Sequence, residues 1–348
     1  MHSIDIIIPT YNYGHFLGRC LESVLAQTYG NFSVLVIDNA SQDNTRELMQ
    51  SYCQLDPRIR YERNETNLGP SRSVLKAYEM TTARYWVMLC ADDYWLPTFL
   101  EECLARGLLE HPECAFAYSK CSRLSGDRVI PYMDIVVPLL ESGVHQIMPF
   151  LCLSNWIFPS FCVIDRQRFD DVGGVRRSLE KFNPSFSQRH GSLGDHYLVA
   201  RLAARHPCYV VDERLGVYRV HENSNTASVG DRLVEEVALL YDAIYFDSDL
   251  FSTTQRYLAK INQTGRILTT AGIARTAFNY VRNPRTQTLL GESRREILRL
   301  LVDIIPRMPR DTEPGTQTGD GYLDKPKNIE RLRFLAERPY EEWSSLYF

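Results

Sequence analysis

The feature that most constrains this chain is a regular alternation of two patterns over its first 120 residues. Short β-rich runs (IDIIIP, FSVLVID, RIRYER, YWVMLC and CAFAYSK) are separated by stretches with helical spacing. The first such stretch, HFLGRCLESVLAQTY, puts Leu17, Cys20, Leu21, Val24 and Leu25 on one face. SQDNTRELMQSYC reads as a helix with Ser41 at its N-cap, and PSRSVLKAYEMTT as a helix opening on proline. LPTFLEECLARGLLEHP is the fourth. Alternation of this kind predicts βαβ units: an α/β fold with a mainly parallel, Rossmann-like sheet flanked by helices. In such sheets ligands bind beyond the carboxyl ends of the strands. Three strands end there in polar groups, Thr10-Tyr11-Asn12, Asp38-Asn39 and Asp92-Asp93.

The last pair is the most unusual. In VMLCADDYWLP an apolar run meets a turn at two adjacent carboxylates, Asp92 and Asp93. Like charges so placed repel, and burial raises their pKa further unless something compensates. Either the turn is simply solvated and acidic, or the pair holds a divalent cation that in turn holds a phosphate.

Bulk properties narrow the classes. Length, 348 residues, fits about two domains. Hydrophobic residues at 44% supply a sizeable core, and the net charge of −4 provides no basic field for nucleic acid. The nine cysteines are odd in number and scattered, with no CxxC pair, which speaks against a zinc framework or a secreted disulfide scaffold and for a reducing cytoplasm. The N-terminus MHSIDIIIPT has no signal-peptide pattern, and no run reaches the roughly 20 apolar residues of a membrane helix. Contact with a membrane surface stays compatible with this composition.

Residues 121–230 are less regular. RLSGDRVIPY predicts a hairpin around Ser125-Gly126-Asp127, PSFCVIDRQRF a strand and short helix, GDHYLVARLAARHP a helix, and CYVVDERLGVYRVH two short strands. From residue 231 to 348 the pattern is helical, interrupted by a Pro/Gly/Thr-rich loop at 307–325. This divides the chain into a ligand-binding domain, 1–230, and a helical region, 231–348.

The motifs occur in a telling order: IIIPTYN, SVLAQTYGNFSVLVIDNASQDNT, NETNLGPS, CADDYWLP, then GDHYLVARLA and YRVHENS. Together they resemble the family 2 glycosyltransferases of the GT-A fold, continuously over about 110 residues and again at the last two motifs. The resemblance implies an inverting, metal-dependent transfer of a sugar from a nucleotide-diphosphate sugar to a glycan, lipid-linked or small acceptor. Asp93 would ligate Mn²⁺ or Mg²⁺, a Lewis acid for the departing diphosphate, and Asp92 would contact the ribose or the metal's water shell. His221 would reach the metal or the diphosphate. Thr10 and Tyr11 would border the base, with Asp38 and Asn39 reading it. Asn67 and Arg72 would lie along the donor, with Lys76 as the other cation near Arg72. Asp195 would take the acceptor proton as base, its rivals being Asp171 and Glu180. Trp156 falls where an acceptor wall would lie, and Arg219 shares strand parity with His221.

Three positions depart from the family pattern. Asn39 stands where a second acid is common, which leaves the base open among UDP, dTDP and GDP, with UDP favoured. Cys90 stands where another acid often precedes the metal pair, and Val74 where an arginine is frequent. A sugar nucleotidyltransferase would need an Arg-containing, Gly-rich loop after the first strand, and PTYNYGHFLGR is a poor one. The alternative outside enzymes is a catalytically inactive nucleotide-binding relative that scaffolds glycan assembly. In that alternative the C-terminal helices would hold partners; in the enzyme they would form an oligomer face, a membrane-surface contact or an acceptor cradle.

Overall fold

The computed structural model describes residues 2–131, 140–151, 157–181, 194–222 and 243–253, with Ser224, Gln255, Arg256 and Ala259. The chain divides into two compact units. The first comprises Met1–Tyr132, Glu141–Gln146 and Ile157–Leu233; the second comprises Met133–Leu140, Ile147–Trp156 and Val234–Phe348. Trp156, most of the C-terminal helices and the 307–325 loop lie outside the described residues. Within the second unit, the described residues Ile147, Leu151, Ile244 and Phe251 are buried. Among the described residues no helix is long and apolar enough to cross a membrane.

The first unit is built on the expected alternation. Strands β1 (Ile4–Thr10), β2 (Phe32–Asp38), β3 (Ile59–Arg63) and β4 (Tyr85–Met88) run parallel in the order β3-β2-β1-β4. Helices α1 (Gly14–Leu25), α2 (Thr45–Leu55) and α3 (Pro70–Glu79) connect them. Ile6, Ile7 and Ile8 are all fully buried, as a central parallel strand covered on both faces requires. Ile4, Ile6 and Ile8 pack with Leu17, Leu21 and Val24, the stripe expected on α1. Burying each such side chain is worth about 1.5–3 kcal/mol. Helix α4 (Glu101–Leu109) is wound as a π-helix.

The far half of the sheet is mixed. Strand β9 (Cys162–Asp165) inserts antiparallel between β4 and β6 (Phe116–Ser125). The predicted hairpin is present: β7 (Arg128–Pro131) folds back on β6 through Gly126 at φ +58°. CYVVDERLGVYRV is one strand, β10 (Cys208–Val220), where two were expected. Register shifts on either side of Arg214 let the charged Asp212-Glu213 step pass without ending the strand. β10 lies parallel to β6, carries the short β8 (Gly143–His145) near its start, and pairs antiparallel with β5 (Tyr94–Trp95) near its end. That last pairing brings the segment after Asp93 to the end of β10. The predicted short helix follows β9 (α5, Arg166–Asp171), α6 (Gly174–Lys181) comes next, and α7 (Gly194–Arg205) carries the GDHYLVARLA motif.

Candidate donor and metal site

The loops after β1 and β2 are stitched together. The Asn39 N–H donates to the Thr10 carbonyl at 2.9 Å, and the Asn12 N–H to Ser41 Oγ at 2.9 Å. Asn12, at φ +57°, returns the bond by accepting the Gln42 N–H at 2.8 Å. Ala40 is also held at positive φ, +69°, where a Cβ is strained. Ser41 is not the cap of α2. That position is Asn44, and Ser41 is drawn into the stitch, its N–H donating to Asp38 Oδ1 at 2.8 Å.

Asp38 and Asn39 are buried and internally engaged. Asp38 Oδ2 accepts the Tyr61 hydroxyl at 2.6 Å and lies 3.4 Å from Arg63 Nε. Asn39 Oδ1 accepts from the Leu68 N–H at 2.8 Å and from the Ser73 hydroxyl at 2.9 Å. Its Nδ2 donates to Asn67 Oδ1 at 2.6 Å, and Asn67 Oδ1 also takes the Gly69 N–H. These three residues therefore hold the turn into α3 in place. Two other groups at the same end of the sheet are differently placed. Tyr11 is 43% exposed, and Thr10 Oγ1 is buried without a partner among the described residues. Of the two cations on α3, Lys76 is held by Glu62 at 2.8 Å and Asn64 at 3.0 Å, whereas Arg72 is exposed and makes no ion pair among the described residues.

The carboxylate pair is anchored from β10. Asp93 is 2% exposed. Its Oδ1 accepts the Arg219 backbone N–H at 3.1 Å, and the Ser160 hydroxyl donates to its carboxylate. Burial, with the charge of Asp92 beside it, pushes the Asp93 carboxyl well above the usual carboxylate range. Arg219 Nε donates to the Asp92 carbonyl at 3.0 Å, and its guanidinium lies over the Phe16 ring. His221 Nε2 is 3.0 Å from Asp92 Oδ2, with Tyr13 and Phe16 packed against the ring. Arg219, on β10, and His221, one residue past its end, thus both reach the acidic pair.

A thiol joins this group. Ligand atoms of Cys90, Asp92 and Asp93 all lie within 4.8 Å of one another. The Cys90 N–H donates to Ser160 Oγ at 3.1 Å, so one buried serine fixes both ends of the CADD turn. The two carboxylates form a hard-oxygen pair that suits Mn²⁺ or Mg²⁺, and His221 meets that pair through Asp92 rather than as one of the three grouped ligands. A buried carboxyl held away from its charged state is also what a cation would stabilise.

Asp195 is half-buried in the first turn of α7. Burial pushes its carboxyl up to about 7, against the lowering expected of a helix N-terminus. Its charge adds, behind burial and the acidic pair, to the effects that raise the Cys90 thiol. Its rival Asp171 is exposed at the end of α5, and the Glu180 side chain lies outside the described residues. Ser160 and Tyr13 belong to the site but carry no motif of their own. Proline 159 and the apolar residues around Ser160 read as core, and only the β9 insertion brings them beneath Cys90.

With this geometry in view, comparison with known proteins assigns the class. Residues 5–122 match the family described as Glycosyl transferase family 2, and the chain carries a domain of that family. TuaG, a Bacillus subtilis (strain 168) protein named as a glycosyltransferase, is 31% identical over 124 residues, 36% of this chain and 48% of its own length. The Escherichia coli UDP-Glc:alpha-D-GlcNAc-diphosphoundecaprenol beta-1,3-glucosyltransferase WfgD is 36% identical over 98 residues, 28% of this chain and 38% of its own length. The chain thus spans about half or less of the length of these two relatives. Among solved structures, S. aureus TarS 1-349 in complex with UDP-GlcNAc is similar at TM-score 0.56 and 18% identity, covering 88% of this chain and 82% of that one. At that identity the likeness is one of fold, and it places the chain with GT-A architectures.

Proposed function

We propose that this chain is an inverting, metal-dependent glycosyltransferase. It moves a sugar from a nucleotide-diphosphate sugar, a UDP-sugar in first place, to a hydroxyl of a glycan, lipid-linked or small acceptor. The observation that carries this reading is the arrangement around Asp93. A nearly inaccessible carboxylate is tied to the Arg219 N–H and Ser160, next to an Asp92–His221 pair, at the carboxyl end of a parallel sheet. A purely structural turn has little use for such a group.

Asp93 and His221 would hold Mn²⁺ or Mg²⁺. When bound, the ion neutralises charge that gathers on the departing diphosphate. Thr10 and Tyr11 border the base, the first through its unpartnered hydroxyl and the second through an exposed ring. Asp38, Asn39 and Asn67 act on the nucleotide by setting the loops around it, since the Asp38 carboxylate, the Asn39 side-chain amide and the Asn67 Oδ1 are already engaged. Arg72, exposed and without an ion pair among the described residues, would meet the donor's phosphates or sugar. Asp195 is the base: near pH 7 a carboxyl titrating at about 7 is ready to accept the acceptor's proton as the hydroxyl attacks opposite the leaving group. The reading puts the chain in the cytoplasm, with a lipid-linked acceptor presented at the inner membrane face; its support is the lipid-linked acceptor in the name of WfgD.

Release of nucleoside diphosphate from a panel of nucleotide-sugars with Mn²⁺ tests the reading. Wild type should release UDP, and Asp195→Asn should not while still binding it. A folded chain that binds nucleotide but turns over none of the panel would return the scaffold reading.

A further inference from the structure

The reading above uses two carboxylates and an imidazole, and leaves the third member of the cluster without a task. We propose that Cys90 is a sulfur donor to the same cation, giving this site a preference for thiophilic divalent metals that an all-oxygen site lacks. This inference rests on the metal reading of the preceding subsection.

Three observations support it. The Cys90 sulfur and one oxygen each of Asp92 and Asp93 lie within 4.8 Å of one another. That separation suits a single ion with metal–oxygen distances of about 2.1 Å and a metal–sulfur distance of about 2.3 Å. The Cys90 backbone is pinned on both sides: its N–H donates to Ser160 Oγ at 3.1 Å and its carbonyl accepts the Cys20 thiol at 3.8 Å. The thiol therefore does not need to be drawn in from elsewhere. Third, Ser160, which holds the Cys90 N–H, also donates to Asp93, so the sulfur and the buried carboxylate are positioned by one side chain.

The chemistry follows from donor softness. Mg²⁺ takes oxygen ligands and gains little from a thiolate, whereas Co²⁺, Zn²⁺ and Cd²⁺ bind sulfur strongly. Coordination replaces the S–H proton of Cys90 with the metal and releases that proton to buffer. The expected ranking is weak Mg²⁺, stronger Mn²⁺, and tightest binding of Co²⁺ or Cd²⁺.

The test is a titration of the full chain with CoCl₂ and CdCl₂, following the sulfur-to-metal charge-transfer absorption in the ultraviolet and calorimetric heats. Mg²⁺ is titrated in parallel, and the variants are Cys90→Ser and Asp93→Asn. Wild type should show the band. Cys90→Ser should lose it and bind Co²⁺ and Cd²⁺ about 10–100-fold more weakly, with Mg²⁺ binding changed by less than about twofold. Asp93→Asn should lose the band although Cys90 is still present, which separates this site from the other thiols. Metal binding that depends on Asp93 but shows no Cys90-dependent band overturns the inference and leaves the metal reading standing. Absence of Asp93-dependent binding for every metal overturns both. Far-ultraviolet circular dichroism on each variant confirms that its fold is retained.

Discussion

Asp195 offers a prediction in which stability and catalysis move in opposite directions. A carboxyl with an ordinary value near 3.8 that rises to about 7 on folding disfavours its charged form in the native state. The full difference corresponds to about 4 kcal/mol, at 1.36 kcal/mol for each pH unit. Asp195 keeps some solvent contact, and the helix N-terminus favours its charge, so about 1–3 kcal/mol is the expected net effect. Below about pH 4 the group is neutral in both folded and unfolded chains and costs nothing. Between about pH 4 and pH 7 the unfolded chain releases its proton while the folded chain keeps it, so stability falls as pH rises. Above about pH 7 both are charged, and the loss is complete and constant. Asn at position 195 is neutral throughout. Melting curves of wild type and Asp195→Asn, recorded in chelator from pH 4 to pH 8, should therefore coincide at the acid end and diverge toward pH 7. The variant should end about 2–6 °C higher. It should also bind nucleotide and fail in transfer, and wild-type kcat/KM should rise with pH through about 7. A capping aspartate behaves differently. Asn caps a helix as well as Asp does, so the two proteins would melt together at every pH. Parallel melting curves would refute the reasoning.

Three further predictions concern the frame around the site. A Cβ on Gly216 would overlap the Phe161 ring, which is buried, so Gly216→Ala should cost about 1–3 kcal/mol in urea unfolding and, by shifting β10, weaken metal-dependent nucleotide binding. Arg72→Ala should weaken binding of a nucleotide-diphosphate sugar about tenfold with Tm unchanged, whereas Lys76→Ala should cost about 0.2–1 kcal/mol of stability and leave donor affinity within about twofold; calorimetry and melting curves on the pair read both effects. His221→Ala strips Asp92 of its partner and should lower Mn²⁺ affinity about 10–100-fold, measured by titration without nucleotide.

Much of the first half of the fold was legible because its strands are buried on both faces. Runs such as Ile6-Ile7-Ile8 and Val34–Ile37 have few alternatives, and the helix stripe of Leu17, Leu21 and Val24 has the right period to cover them. The antiparallel insertion of β9 was not legible, since nothing in CVID states which strands will flank it. The same is true of what that insertion delivers. Ser160 reads as one polar residue in an apolar segment, and its role at Asp93 exists only in the folded sheet. β10 was split in two by the charges at Asp212 and Glu213, which the strand accommodates by shifting register. Ser41 has the right residue type and spacing for a cap, but the loop after β2 offered it stronger use in the stitch between Asn12 and Asp38. Within the site, residue identity marked Asp93, Asp195 and His221 as candidates, and the fold brings the first to the Arg219 N–H and the last to Asp92. Residue identity indicated less at Asn39, where the open question of the base turns on a carbonyl that the fold has already committed to Leu68 and Ser73.

The central claim is that Asp93 anchors a metal through which nucleotide diphosphate is held. Calorimetric titration of UDP into wild type and Asp93→Asn, each with Mn²⁺ and with chelator, tests it most directly. The account predicts wild-type binding at least about tenfold tighter with Mn²⁺ than without, and loss of that difference in the variant. Equal affinity with and without Mn²⁺ in wild type, or a metal effect that survives in Asp93→Asn, would contradict it.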